Sequence, residues 1–161
     1  MSNIVDKKNK NLVVKCEGGI CNRLNNIING FYYYKKYNFE KMYFLWTQQH
    51  GLNCKFSECF QIQDTFEVID GTDPNYEEIK SATAGFRVVN LRYNSSQAAK
   101  MKNHESFIIA SPKICPSIPI DRALKIIKHQ MLIPAPDLCS RIEDFLIKND
   151  LKNNKYIGVH I

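Results

Sequence analysis

Two adjacent glycines, Gly18-Gly19, separate a short apolar run, Leu12-Val13-Val14-Lys15-Cys16, from a stretch with apolar residues at every third or fourth position. No other feature constrains the chain as strongly. Glycine lacks a Cβ and takes the left-handed backbone of a tight turn at little cost. A strand that turns through glycine directly into a helix leaves the first helical N–H groups without intrahelical partners. Those amides and the helix dipole together favour negative charge, so the junction reads as an anion site. The candidate binding groups are the backbone of Gly18 and Gly19, the amides up to Asn22, the Asn22 side chain and Arg23. Purely structural uses stay open beside this one. The glycines can serve a plain turn, Asn22 a helix N-cap, and Arg23 a solvated helix face.

After the turn, Leu24, Ile27, Ile28, Phe31 and Tyr32 follow helical spacing, and the helix is expected to end near Tyr37-Asn38. Residues 41–46 carry Met42-Tyr43-Phe44-Leu45 and read as a second strand, so the opening is a βαβ unit with parallel strands. A short helical turn is expected over 56–60. Further strands are expected over 65–70, 86–91 and 106–110, and a proline-broken loop over 111–119. Asp121 reads as the cap of a helix running to about Met131, with Ala123, Leu124, Ile127 and Met131 inward. Leu138, Ile142, Phe145 and Leu146 mark the apolar face of another helix, and 155–161 reads as a closing strand. Alternating strands and helices give the fold class: α/β, a Rossmann-like parallel sheet with flanking helices.

Composition narrows the partners. The 161 residues suffice for one domain, and 44% hydrophobic with 24% charged residues is ordinary globular composition. A net charge of +6 suits a phosphorylated partner. Nothing resembles an arginine-rich helix, an RNA-binding strand motif or a zinc finger, so nucleic acid is not an expected partner. No apolar stretch is long enough to span a bilayer, and the polar residues 1–10 lack the apolar centre of a signal peptide, which points to the cytoplasm. The six cysteines then read as free thiols. Cys16/Cys21 and Cys54/Cys59 repeat one spacing, but small buried hydrophobes are preferred to zinc ligands and no metal is expected. Tyr32-Tyr33-Tyr34 and Trp46 offer rings for stacking on a sugar, and packing is the preferred reading for the tyrosines.

Gly18-Gly19-Ile20-Cys21-Asn22-Arg23-Leu24 resembles the GG-x-x-N-R/Q-L turn that opens the fucosyltransferase superfamily, whose members use GDP-fucose. Cys54-Lys55-Phe56-Ser57-Glu58-Cys59-Phe60 is similar to the family's Phe-x-x-x-Phe loop. Leu132-Ile133-Pro134-Ala135-Pro136-Asp137-Leu138, with Ile142 and Phe145, is similar to the helix before its second signature. Tyr156-Ile157-Gly158-Val159-His160-Ile161 resembles the strand of that signature, which usually continues as Arg-x-x-Asp. The resemblance implies the N-terminal half of a GT-B architecture. Residues 1–11 would be a disordered lead, 12–154 the Rossmann-like domain, and 155–161 the first strand of a donor-binding part not included in this sequence. It further implies a metal-independent glycosyltransferase that moves fucose from GDP-fucose to a glycan or protein acceptor, with His160 beside the donor. This chain alone would be weakly active or inactive.

Two other functions stay open: a small Rossmann-like nucleotide-binding module and a non-catalytic interaction domain. The first, if it used NAD, would want a third glycine near Arg23-Leu24 and an acidic residue ending the second strand, where Trp46-Thr47 stands.

Overall fold

The computed structural model describes residues 10–48, 52–61, 66–72, 77, 81, 87–89, 107–111, 113–126 and 133–151. Five strands, β1 (Asn11–Cys16), β2 (Lys41–Trp46), β3 (Glu67–Asp70), β4 (Arg87–Val89) and β5 (Phe107–Ile109), form one sheet in the order β3-β2-β1-β5-β4. Every neighbouring pair is parallel. The described helices are α1 (Ile20–Lys36), α2 (Phe56–Cys59), α3 (Ile120–Ile126) and α4 (Pro136–Lys148). The chain is therefore an α/β protein with a Rossmann-like parallel sheet. The strand order has its own character: β5 lies beside β1 and β4 takes the edge, whereas the usual Rossmann order puts the fourth strand next to the first.

Strand β1 is buried on both faces, which is why it reads as a nearly continuous apolar run. Leu12, Val14 and Cys16 pair in register with Met42, Phe44 and Trp46, and these six share a core with Ile27, Ile28 and Phe31 of α1. Aromatic rings fill the region under β2 and β3. Phe44 and Phe66 have centroids 4.7 Å apart, and Trp46 meets Phe56 edge-on at 5.3 Å. Helix α1 lies close against the sheet at Gly30, where an added Cβ would stand 2.5 Å from Val14 Cγ2 and 3.5 Å from Phe44 Cε1.

The element boundaries differ from the expectations in informative ways. Asn11, expected in the lead, already belongs to β1, and the Lys10 carbonyl accepts from the Glu40 amide at 2.8 Å. Helix α1 starts at Ile20, which puts Asn22 inside the helix instead of at its N-cap, because the N-cap is Gly19, a residue with no side chain to cap with. Sequence rules look for a capping side chain, and here there is none to see. At the other end Asn38 takes φ 51° and the Phe39 amide reaches back to the Tyr34 carbonyl at 3.2 Å, a Schellman closure with asparagine in the left-handed position.

Helix α3 buries Ala123 and Ile126, but Leu124, expected inward, is 59% exposed; Ile127 and Met131 lie outside the described residues. Asp121 falls inside α3 rather than capping it. Helix α4 has the expected apolar stripe without the expected burial: none of its residues is buried, and Ile142 and Phe145 are exposed. Periodicity announces a helix with an apolar face; it does not say which surface meets that face. The expected closing strand over 155–161 lies outside the described residues.

Candidate functional site at the glycine turn

The turn after β1 is built from one glycine in a conformation few other residues accept. Gly18 has φ +81°, and a Cβ there would also stand 3.0 Å from the Asn22 side-chain nitrogen. Gly19 is extended, with φ −67° and ψ 169°, and a Cβ on it would meet nothing within 4 Å. The first α1 amide with an intrahelical partner at this end is that of Arg23, which donates to the Gly19 carbonyl at 3.2 Å. The amides of Ile20, Cys21 and Asn22 precede it and have no carbonyl one turn earlier. Among the described residues no side chain caps this end, and no acidic residue stands in the first turn.

A cleft of about 340 Å³ opens beside this turn, lined by Lys15, Glu17, Gly18, Asn22, Asn26, Ala110 and Ser111. Its walls come from the C-terminal ends of β1 and β5 and from the start of α1. The chain proceeds from β1 outward through β2 to β3, and the other described strands, β4 and β5, lie on the other side of β1. The cleft thus sits where strand order reverses, at the carboxyl edge, the place where open parallel sheets bind ligands. Lys15 and Glu17 face each other across its rim, Nζ to Oε1 2.7 Å, both partly exposed. Such a pair contributes little stability, but it keeps a lysine at the mouth.

Gly18 and Asn22 line this cleft, with Asn22 exposed as the third helical residue rather than as the cap, while Gly19 stands next to it in the turn and is not part of its lining. Arg23 is not part of the open surface. Its side chain is 0% exposed, so it is neither the solvated residue nor a group facing the cleft. The guanidinium turns inward instead. Nε donates to the Gly18 carbonyl at 2.6 Å, one terminal nitrogen to the Cys16 carbonyl at 3.0 Å, and the other to the Leu52 carbonyl at 3.3 Å. Its carbon lies 4.4 Å from the Trp46 ring centre. Burial lowers the Arg23 pKa, yet a guanidinium stays protonated in proteins. A fixed cation thus holds the turn from beneath, and Trp46 packs against it. His160 lies outside the described residues.

The opposite wall depends on asparagines that sequence reasoning passed over. Asn26 accepts from the Ser111 amide through Oδ1 and donates to the Asn22 carbonyl at 3.2 Å. One turn later, Asn29 accepts from the Cys115 amide at 2.8 Å and donates to the Lys113 carbonyl at 2.9 Å. Tyr33 continues the row, its hydroxyl 3.1 Å from Cys115 Sγ and 3.0 Å from Ser117 Oγ. One face of α1 therefore fastens the segment after β5. The available signal was three asparagines at helical spacing, Asn22, Asn26 and Asn29. Asparagine is a poor helix former, so repeated use on one face implies hydrogen-bonding work.

Burial also sets the alkaline limit of this core. The Cys16 thiol and the Tyr33 hydroxyl are pushed upward by desolvation, and Cys59 is pushed up to about 12, again by desolvation first and then by its contact with Cys54. In the unfolded chain these groups lose protons at ordinary values, while in the folded chain they keep them. The stability they contribute is fully present below the ordinary thiol range and is lost as pH rises through the folded values. Urea unfolding under reducing conditions should therefore give a flat stability from about pH 6 to 8 and a steady fall above about pH 9. An unchanged midpoint at about pH 10.5 would contradict this burial.

No family model matches this chain, and neither curated proteins nor solved structures give a significant match. Among the described residues no three His, Cys, Asp or Glu side chains converge as a metal site, and no helix is long and apolar enough to cross a membrane.

Proposed function

We propose that this chain is the N-terminal, Rossmann-like half of a metal-independent GT-B glycosyltransferase. Its donor is a GDP-sugar, with GDP-fucose preferred, and its acceptor a glycan or protein. The observation that carries this reading is the α1 N-terminus, opened by Gly18 and Gly19 without a capping side chain on Gly19, beside a cleft at the strand-order reversal that Gly18 and Asn22 line. At about 340 Å³ the cleft falls near the lower end of small-molecule sites, which suits a diphosphate seated here with the nucleoside gripped by another part. The resemblance of Gly18 to Leu24 to the fucosyltransferase turn supplies the donor class.

In transfer from such a donor, positive charge grows at the sugar while negative charge grows on the departing diphosphate. The amides of Ile20, Cys21 and Asn22 are donors held in place before the reaction, so they stabilise that growing charge without reorganising. The Asn22 amide group adds a neutral donor from the rim. Arg23 acts as a positioning residue, holding the Gly18 and Cys16 carbonyls so that the turn keeps its shape. His160 is assigned a binding or polarising role at the donor on the resemblance alone.

The test is GDP titration followed by backbone NMR. GDP is expected to shift the amides of Gly19, Ile20, Cys21 and Asn22, with a dissociation constant near 1 mM, or about −4 kcal/mol. NAD should leave them unmoved. Asn22→Ala, at an exposed position, should keep the fold and weaken GDP binding about tenfold, roughly 1.4 kcal/mol. Unmoved amides at about 10 mM GDP would remove the proposal, and a response to NAD alone would favour the plain nucleotide-binding module.

A further inference from the structure

Away from the glycine turn, two thiols meet beside a second cleft. Cys54 precedes the one-turn helix α2 and Cys59 is its last residue, and their sulfur atoms lie 3.3 Å apart as free, half-buried thiols. A disulfide bond is about 2.0 Å long, so the sulfurs need to approach by only roughly 1.3 Å. The backbone on both sides is already fixed. Trp46 Nε1 donates to the Cys54 carbonyl at 2.8 Å, and the Ala135 amide donates to the Cys59 carbonyl at 3.0 Å. Between them, the Lys55 amide donates to Glu58 and the Phe56 amide to Asp70, at 2.7 and 3.0 Å. The two thiols are therefore held together before any reaction, which is the condition for a fast intramolecular step. Nor are they sealed off: both line a cleft of about 590 Å³ between α2 and the start of α4, with Glu58, Pro136 and Arg141.

The other cysteines lack this arrangement. Cys16 and Cys115 are buried, and Cys21 and Cys139 are exposed. Among the described residues no third ligand joins Cys54 and Cys59 to make a metal site.

The geometry points to Cys54 and Cys59 as a reversible dithiol–disulfide site, oxidised through the α2–α4 cleft by a small-molecule disulfide of the glutathione class. The Cys54 thiolate attacks one sulfur of that disulfide, forming a mixed disulfide and expelling one small thiolate. The Cys59 thiol gives its proton to water, attacks the Cys54 sulfur, closes the Cys54–Cys59 bond and expels the second small thiolate. Two protein thiols lose two electrons and two protons; the small disulfide accepts both pairs and leaves as two thiols. The second step falls to Cys59 because its thiol is pushed up to about 12 by burial and by Cys54, which makes it the slower nucleophile. The proposal is independent of the nucleotide reading.

The experiment is exposure of the full chain to glutathione disulfide, acid quenching, alkylation of remaining thiols and tryptic mass spectrometry. Cleavage after Lys55 places the two cysteines on separate peptides, so a bridge appears as a covalently joined pair. The expected result is that joined pair, lighter by two hydrogens than its parts, released by dithiothreitol, and forming about tenfold faster per pH unit between pH 7 and 8. Cys59→Ser should stop at a stable glutathione adduct on Cys54. Alkylated Cys54 and Cys59 in the wild-type chain, at an exposure that already modifies exposed Cys21 and Cys139, would overturn the proposal. So would stable, unbridged adducts on Cys54 in the wild type.

Discussion

Arg23→Ala is expected to lower the unfolding free energy by about 4 kcal/mol, a large fraction of what a domain of this size has. The carbonyls of Gly18, Cys16 and Leu52 lose the guanidinium at once, and that of Cys16 keeps only the longer contacts from the Thr47 amide and hydroxyl, each at 3.4 Å. Each buried acceptor left unpaired costs about 1–3 kcal/mol, and the lost contact with the Trp46 ring adds roughly 1–2 kcal/mol in a desolvated setting. Release from burying a guanidinium offsets part of that sum. Arg23→Lys keeps the charge but not the planar fork, so it should recover less than half of the loss. Urea unfolding measures both variants. A loss under about 1 kcal/mol for Arg23→Ala would mean that the turn keeps its shape without this cation, and the positioning role would fall. Where the variant remains folded, the Gly19 to Asn22 amides should lose their response to GDP, because the carbonyls that fix the turn are free to move.

Gly30→Val is expected to destabilise by about 3 kcal/mol or more through overpacking. On an exposed helix, replacing glycine with alanine gains about 1 kcal/mol. Here the sign reverses, since a Cβ would stand 2.5 Å from Val14 Cγ2 with Phe44 behind it at 3.5 Å. Both neighbours are fully buried core residues and have nowhere to retreat. Gly30→Ala should therefore lose about 1–2 kcal/mol, and valine more. Val14→Ala supplies the specific control. Combined with Gly30→Ala it should be less damaging than the sum of the two single changes by at least about 1 kcal/mol, as expected for residues in direct contact. Strict additivity would place the helix farther from the strand than the structure has it. Gly30 matters functionally because the approach it permits sets the height of α1, and so of its N-terminal amides, above the carboxyl edge of β1.

The first third of the chain was the legible part. The apolar run, the double glycine, the helical spacing and the second apolar run predict a βαβ unit, and β2 falls on the expected residues 41–46. Each element there is announced by its own residues: a strand buried on both faces is apolar throughout, and a turn at φ +81° calls for glycine. The α1 start was displaced because nothing caps it, and the Leu124, Ile142 and Phe145 faces were misjudged because an apolar stripe is silent about its partner. Arg23 was the largest surprise in the site. A charged residue in the first turn of a helix is ordinarily solvated, and only the carbonyls of Cys16 and Gly18, the Leu52 loop and the Trp46 ring explain its inward course.

Taken by itself, the sequence determined the α/β class, the parallel opening unit and the glycine turn that bares the amides of α1. These follow from periodicity and from single-residue backbone preferences, which act over a few neighbours. Tertiary structure alone decided that β5 rather than β4 lies beside β1, and hence that Ala110 and Ser111 form the far wall of the cleft. It also decided that Arg23 supports the turn from below, and that Asn26 and Asn29 fasten a segment more than 80 positions away. Such pairings are settled by which buried donors and acceptors must find partners once the whole chain is packed, and local pattern carries no record of that competition.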